Sequence, residues 1–345
     1  MSTSNNITVT HSQDRHPEPS KAKAHHLGEP PTTFQNPWPS FKEHGSKAEL
    51  FKLCFGSHPE KNFVPVPEGP NGTRSNQLVK VSMPHWEGIA QRDKLRATWT
   101  GHASFLVETP AASGQHRGIG VLFDPKPTPC SLEELPDPDI VCISHDRYDH
   151  LDFDLVSRLY HKLKGRLHFF DVTEMDWWQS CEVVVLNIGQ ARLTCCPTQH
   201  FSGRTPFDGG STLWCSWALE SAGKKLYFAG DTAYQAKDAP FDLALIPIGL
   251  YSPSYIAASV YVHPEQSLKI PKSIKSRLSI GMHYGTVRGG LSAAYEPVTD
   301  PSRRWREAAE REGIWNGGGV EGDGSSVDLS KPGVGLCHVG ETVAV

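Results

Sequence analysis

The chain has 345 residues with a formal net charge of −4, and 38% of them are hydrophobic, enough to bury a sizeable core. No basic run of the kind that nucleic-acid binding needs is present, so we expect no nucleic-acid partner. No apolar segment approaches the ~18 to 20 residues of a membrane-spanning helix, so we expect no membrane span.

The eight cysteines form no Cys-x-x-Cys pair and no regular spacing, which is typical of free thiols in an intracellular protein. The first thirty residues hold no apolar core of the kind that a secretory signal requires. We therefore expect an intracellular protein, either cytoplasmic or attached peripherally to a membrane.

Residues 1–33 are polar, contain proline and show no periodicity, which predicts a disordered N-terminal tail. Order is expected to begin with "FQNPWPSF" (34–41), an extended segment held on the surface of one domain that covers 34–345.

Apolar runs separated by turn residues predict strands within 95–109, 118–125, 139–144, 191–203, 213–221, 225–233, 241–249 and 277–286. Helical patterns cover 151–163, 263–274 and 301–313. Strand pairs followed by strand–helix alternation indicate an α/β fold with two sheets and helices on the outside.

Several of the strand-like runs end in a residue that can bind a metal. These residues are His145, with Asp149 and His150 on the loop that follows, and then His200, Asp231 and His283. Strand ends on one side of a sheet share a rim, so these side chains can converge although they are distant in sequence. Imidazole nitrogen and carboxylate oxygen suit zinc, and two such ions can share one carboxylate.

In this order, the residues resemble the metallo-β-lactamase superfamily, and more narrowly its N-acyl-phosphatidylethanolamine-hydrolysing phospholipase D branch. The matching segments are "NPWP" (36–39), "WTGHASFLVE" (99–108), "ISHDRYDHLD" (143–152), "TQHF" (198–201), "FAGDTAY" (228–234), "PFDLALIPIGLYSP" (240–253), "MHYGT" (282–286) and, more loosely, "VHPEQSL" (262–268). The resemblance implies an αββα sandwich of two mixed sheets with helices on the outer faces.

The resemblance also implies a role for each matching residue. His145 and His200 would bind a first zinc ion, Asp149, His150 and His283 would bind a second, and Asp231 would bridge the two. Asp149 would also orient the attacking water. His263 matches a family histidine near the substrate, although a helix N-cap or surface role explains it equally well. His102 is expected to be a structural histidine beneath the site.

Arg147 stands where the family loop has a second histidine. A guanidinium stays protonated and has no lone pair for a metal, so the first zinc site would lose one ligand while the second keeps all of its own. Arg147 could then bind the phosphate or carboxylate of a substrate. The segments 124–139 and 167–178 also look shorter than in the family.

The activity that the resemblance implies is zinc-dependent hydrolysis of an N-acylated phosphatidylethanolamine to an N-acylethanolamine and phosphatidic acid. It also implies a homodimer and peripheral contact with a membrane. Arg147 and the shorter segments leave two alternatives open. One is a tailoring enzyme of a biosynthetic pathway, such as a thioesterase or lactonase acting on another small molecule, and the other is a degenerate, non-catalytic binding protein.

Overall fold

The structure is a computed structural model. It describes residues 7–12, 23–42, 51–52, 56, 78–86, 91–126, 130–163, 172–205, 207–233, 240–253, 259–286, 294–318 and 326–345.

Fifteen strands and four helices are formed by these residues. The strands are β1 (Ile7–Ser12), β2 (His26–Leu27), β3 (Thr33–Phe34), β4 (Arg96–Gly101), β5 (Ser104–Glu108), β6 (Gly120–Phe123), β7 (Ile140–Cys142), β8 (Ser180–Val185), β9 (Gly189–Cys196), β10 (Ser216–Ser221), β11 (Lys224–Phe228), β12 (Leu243–Pro247), β13 (Leu278–Met282), β14 (Gly333–Gly335) and β15 (Thr342–Ala344). The helices are α1 (Phe153–Lys162), α2 (Pro264–Ser267), α3 (Lys269–Ser273) and α4 (Asp300–Arg311).

Two large sheets carry most of these strands, and both are mixed. The eight-stranded sheet has the order β1-β8-β9-β10-β11-β12-β13-β14, and its strands from β11 onward run parallel. The five-stranded sheet has the order β15-β4-β5-β6-β7, with β6 and β7 parallel. Strands β2 and β3 form a separate hairpin near the N-terminus.

The smaller sheet lies between two apolar layers, and its side chains point alternately into one layer and the other. Phe105 and Val107 of β5 point into the main core, where Phe123 stacks on Phe228 of the larger sheet with ring centroids 4.7 Å apart. Leu106, between them in sequence, packs instead with Leu159 of α1. Because successive residues of a strand face opposite sides, one face of this sheet meets the other sheet and the opposite face meets a helix. The predicted αββα sandwich is therefore confirmed.

The prediction of a disordered tail over residues 1–33 is wrong for part of that range. The run Ile-Thr-Val-Thr pairs with β8 in antiparallel register, with Ile7 opposite Val185 and Thr10 opposite Glu182. These four residues are all β-branched, and they alternate between apolar and polar, which fits a strand. Strand β1 supplies the hydrogen-bond partners of an otherwise open sheet edge. Residues 1–6 and 13–22 of the predicted tail lie outside the described residues.

Strand β8 also went unpredicted, although "CEVVV" has the β-branched residues typical of a strand. Residues 164–171, within one of the segments that look shortened, lie outside the described part of the chain. None of the helices in the described ranges is long and apolar enough to cross a bilayer.

Candidate metal centre

A buried polar cluster lies where strands of the two sheets end. Five of its members each come after a strand: Asp124 after β6, His145 after β7, His200 after β9, Asp231 after β11 and His283 after β13. Their relative exposure is 3% or less, so each of these polar side chains has been removed from water. Burial of this kind is costly unless the polar atoms find partners.

A glycine allows two of these strand ends to approach one another. Gly230 has a φ of 57°, and a Cβ atom added there would lie 2.9 Å from Cβ of Ser144. Glycine adopts this conformation without strain, and no larger residue fits this close approach. The end of β11, with Asp231, can therefore lie against the loop that carries His145.

The Asp231 carboxylate is the centre of the cluster, and four imidazoles surround it. His283 Nε2 lies 2.9 Å from Oδ1. The Nε2 atoms of His150, His200 and His145 lie 3.2, 3.5 and 3.9 Å from Oδ2, respectively. The structure therefore places Asp231 among all four imidazoles, and its bridging role stays a prediction.

Asp149 lies on the other side of His150, with its Oδ2 atom 3.8 Å from His150 Nε2. Its second neighbour is His102, whose Nε2 lies 3.0 Å from the same oxygen. His102 and His283 both have positive φ, 54° and 64°, and the amide of His283 donates to the carbonyl of His102. Such strained backbone is characteristic of functional sites, and here it brings two rings to 4.0 Å. His102 therefore contacts a predicted ligand directly.

Three of the imidazoles are oriented by hydrogen bonds at Nδ1. Nδ1 of His150 lies 2.6 Å from Asp124 Oδ2, and Nδ1 of His200 lies 2.9 Å from the carbonyl oxygen of Val260. The ring of His145 is held by the hydroxyl of Ser144, 2.8 Å from Nδ1. In each ring Nε2 is thereby left to face Asp231, which is the arrangement of metal-binding histidines.

The protonation states also favour metal binding. Burial lowers the pKa of His145 well below its ordinary value and that of His200 to about 3, so both rings are neutral at pH 7. Burial alone would raise the pKa of Asp231, but His150 and His283 outweigh it and hold the pKa well below its usual range. The neutral rings of His145 and His200 and the ionised Asp231 supply lone pairs for a cation. Against the effect of burial, Asp231, Asp124 and Asp149 raise the pKa of His150 well above its ordinary value, so a bound metal would displace the proton of that ring.

Several lone pairs of the cluster are not engaged in hydrogen bonds within the described part of the chain. Across the described ranges, Nε2 of His145, Nε2 of His200 and both oxygens of Asp231 are buried and have no hydrogen-bond partner of suitable geometry. His150 Nε2 and His283 Nε2 lie 3.3 Å apart. Two ligands on one tetrahedral metal with bonds of about 2.0 Å have nearly this separation, roughly 3.3 Å. The residues present thus fit a metal centre, and the identity of each ligand stays a prediction.

Arg147, the residue that departs from the family loop, lies at the edge of the cluster. Its guanidinium carbon lies 4.6 Å from the centroid of the Phe201 ring, and its Nε lies 3.8 Å from Asp149 Oδ1. This Nε atom is buried and has no hydrogen-bond partner among the residues that the structure describes. The neighbouring Asp146 accepts a hydrogen bond from the amide of Gly203 at 2.8 Å, so its carboxylate is engaged elsewhere.

Two residues of this region, Asp124 and Tyr261, had no predicted role. Asp124 follows a strand like the predicted ligands but had no assigned role. The ring of Tyr261 lies 5.2 Å from that of His200 and 5.9 Å from that of His283. His263, two residues further on, caps α2 without a side-chain hydrogen bond, and its ring contacts Tyr251 at 5.2 Å. The catalytic role of His263 stays a prediction.

A model of the β-lactamase superfamily domain matches residues 118–284, the range that contains His145 through His283. The chain is also 32% identical to N-acyl-phosphatidylethanolamine-hydrolysing phospholipase D 1 of Caenorhabditis elegans over 325 residues, 80% of this chain and 87% of that protein. The chain belongs to the metallo-β-lactamase superfamily.

Two further proteins resemble the chain more distantly. A metal-dependent hydrolase of Methanopyrus kandleri is 27% identical over 63% of this chain and 92% of its own length. A solved metallo hydrolase of Ignicoccus hospitalis, 20% identical, covers 73% of this chain and 98% of its own with a TM-score of 0.48. The family membership, together with the buried histidines and aspartates, identifies the chain as a metal-dependent hydrolase of the metallo-β-lactamase fold.

Proposed function

We propose that the protein is a zinc-dependent phospholipase of the D type that hydrolyses N-acylated phosphatidylethanolamine to an N-acylethanolamine and phosphatidic acid. The observation that carries this proposal is the convergence of four imidazoles on the buried Asp231 carboxylate. The similarity to the nematode enzyme, which extends over 87% of that enzyme's length, supports the choice of substrate.

Imidazole nitrogens and carboxylates are the donor set that zinc takes in hydrolytic sites. His145, His200 and Asp231 form one group whose ligand atoms lie within 4.8 Å of one another, and Asp149, His150 and His283 belong to a second. Bound zinc would polarise a phosphoryl oxygen and lower the pKa of water to about 7. Side chains of the protein would orient the attacking water and bind the negative charge of the substrate.

Asp149 is suited to orient the attacking water. Its Oδ2 atom is held 3.0 Å from His102 Nε2, so this contact fixes the carboxylate while Oδ1 remains directed toward Arg147, at 3.8 Å. In the proposed reaction the water oxygen attacks phosphorus, and the bond from phosphorus to the ethanolamine oxygen breaks. That oxygen leaves as the hydroxyl of the N-acylethanolamine after taking up a proton, and phosphatidic acid keeps the phosphorus.

Arg147 would bind the anionic phosphodiester. The guanidinium carbon lies 4.6 Å from the centroid of the Phe201 ring, and the buried Nε–H finds no hydrogen-bond acceptor among the described residues. A phosphate oxygen supplies the acceptor that this donor lacks, and charge-assisted pairs of this type are roughly twice as strong as neutral hydrogen bonds. This role explains why an arginine occupies a position where a histidine would add a ligand.

Exposed aromatic residues beside the metal-binding loop support peripheral contact with a lipid surface. Tyr148, Phe153 and Phe207 have relative exposures of 61%, 59% and 91%. Arg204 lies over the rings of Tyr148 and Phe153, with its guanidinium carbon 4.7 and 4.2 Å from their centroids. Aromatic rings next to a cation favour the interface of a membrane with anionic headgroups.

The test is product analysis after incubation of the zinc-loaded protein with N-acylated phosphatidylethanolamine in mixed micelles. We expect both products from the wild type and less than a thousandth of that rate from Asp231→Asn, whose side chain has nearly the same shape. An acyl thioester is assayed in parallel. Turnover of the thioester without turnover of the phospholipid would replace the proposal by the tailoring-enzyme alternative, which Arg147 also fits as a carboxylate-binding group.

A further inference from the structure

A second group of metal-binding side chains joins the N-terminal hairpin to the larger sheet. His26 begins β2 and His25 directly precedes it, and both side chains contact Asp176, which lies four residues before β8. Nε2 of His25 lies 2.5 Å from Oδ1 of Asp176, and Nε2 of His26 lies 2.8 Å from Oδ2. The three ligand atoms thus lie within 4.8 Å of one another.

The surroundings of this group are apolar on one side. The His25 ring has 2% exposure and stacks on Trp177 at 4.2 Å, and the His26 ring meets Phe34 edge-on at 5.6 Å. Among the ion pairs of the described residues, both partners of Asp176 are these two histidines, so its carboxylate has no lysine or arginine to balance it there. A divalent cation would supply that balance in a place of reduced dielectric constant.

We propose that His25, His26 and Asp176 form a second, non-catalytic binding site for a divalent transition metal of the zinc class, with water completing the coordination. Two imidazole Nε2 atoms and one carboxylate oxygen make a common zinc donor set, and their tetrahedral separations of about 3.3 Å are reached by small movements of the side chains. None of the three belongs to the catalytic cluster.

The site has a structural consequence for the catalytic centre. The segment that follows the hairpin (35–42) runs along the His200 loop: the Asn36 side-chain amide donates to the carbonyl of His200 at 2.7 Å, and the Ser40 hydroxyl donates to Gln199 at 2.7 Å. The amide of Gln35 in turn donates to the carbonyl of His25 at 2.9 Å. A metal that links His25 to Asp176, 151 positions away, closes a long loop and stabilises this segment against His200.

The experiment counts zinc in the full chain, prepared without an affinity tag and stripped with a chelator. The stripped protein is titrated with zinc alone against a chromophoric chelator. Asp231→Asn removes the predicted bridging carboxylate of the catalytic cluster, so the zinc that remains reports on the site of His25, His26 and Asp176. We expect Asp231→Asn to bind one equivalent that the double variants Asp231→Asn with Asp176→Asn, and Asp231→Asn with His26→Gln, both lose.

His11→Gln is the matched control, because His11 is an exposed histidine of the same N-terminal region and lies on β1. It should leave the zinc count unchanged. Cobalt titration gives a second readout, because a tetrahedral site absorbs in the visible range and the Asp176 variants should lack that band. Limited proteolysis gives a third: zinc should slow cleavage between residues 23 and 42 several-fold in Asp231→Asn, and not when Asp176 is also changed.

Equal zinc counts in Asp231→Asn and in both double variants would overturn the proposal, as would a cobalt band that survives the loss of Asp176. Circular dichroism of each variant verifies folding, and His26→Gln replaces Asp176→Asn if the latter unfolds. Because no substrate is used, this result is independent of whether the protein hydrolyses a phospholipid.

Discussion

The Asp124 carboxylate holds the His150 ring, with Oδ2 of Asp124 only 2.6 Å from Nδ1 of His150. The same carboxylate accepts from the amide and the hydroxyl of Ser144 at 2.7 and 2.6 Å, and that hydroxyl lies 2.8 Å from Nδ1 of His145. One buried aspartate therefore orients imidazoles of both predicted metal sites. Outer carboxylates of this kind fix the tautomer of a metal-binding histidine and raise its basicity.

Replacing this aspartate should weaken metal binding without removing a ligand. We expect Asp124→Asn to lower the zinc affinity by about 10- to 100-fold, because the neutral amide no longer stabilises the proton on His150 Nδ1. Competition with a chelator of known affinity measures the change.

Asp242→Asn is the control for that substitution, because Asp242 accepts from the amide of Lys225 at 2.9 Å and pairs with Lys224. Its zinc affinity should equal that of the wild type. An unchanged affinity in Asp124→Asn would show that the orientation of His150 does not depend on this carboxylate.

Removing the shared carboxylate should have a larger effect. We expect Asp231→Ala to lose the zinc of the catalytic cluster and essentially all hydrolytic activity, because Asp231 is the predicted shared ligand of both metal sites there. Zinc at His25, His26 and Asp176 should remain. Elemental analysis of the purified variant gives the metal content. Full metal content in this variant would exclude a bridging role.

We expect Arg147 to increase the hydrolysis rate of anionic substrates only. Replacement by alanine should reduce kcat/KM for a phosphodiester by roughly 10- to 100-fold, since a hydrogen bond to a charged group contributes about 1.5–3 kcal/mol. Lysine should restore part of this, because it keeps the charge and loses the planar fork.

The corresponding histidine variant separates charge from coordination. Arg147→His supplies the ligand that the family loop has, so the metal content should rise while phosphodiester turnover falls. A large gain in turnover together with a second zinc ion would contradict the assigned role, because arginine would then be only a lost ligand.

Glu296 predicts a pH dependence of stability. Burial raises its pKa from 4.5 to about 7, although its carboxylate accepts from the amides of Leu250 and Tyr251. Between pH 4.5 and about pH 7, the folded state therefore binds more protons at Glu296 than the unfolded state does. The contribution of Glu296 is therefore complete below pH 4.5 and is lost as the pH rises through about 7.

Glu296→Gln should remove this dependence. The free energy of unfolding of the wild type should fall relative to that of the variant by on the order of 2 kcal/mol between pH 5 and pH 8. Chemical denaturation at both pH values measures the difference. Parallel pH profiles for the two proteins would show that Glu296 titrates normally.

The sequence placed most of the residues that meet in the buried cluster, because a local pattern marks them. His145, His200, Asp231 and His283 each follow an apolar run, and strand ends of one sheet share a rim. Asp124 obeys the same pattern, but its partners lie 20 and 26 positions away, at Ser144 and His150, and only the folded structure joins them.

The direction of a loop side chain is set by tertiary contacts, which a single sequence does not contain. Tyr261 rather than His263 faces His200 because the chain turns into α2 at His263. The strand β1 was missed for a related reason. Its residues Ile7–Ser12 stand among polar neighbours, and the edge of β8 decides their conformation.

The most direct test of the account is hydrolysis of N-acylated phosphatidylethanolamine by the zinc-loaded protein in water enriched in oxygen-18. Attack of water on phosphorus predicts one labelled oxygen in the phosphatidic acid and none in the N-acylethanolamine, with no label transfer by Asp231→Asn. Absence of phosphatidic acid, or label in the N-acylethanolamine, would contradict it.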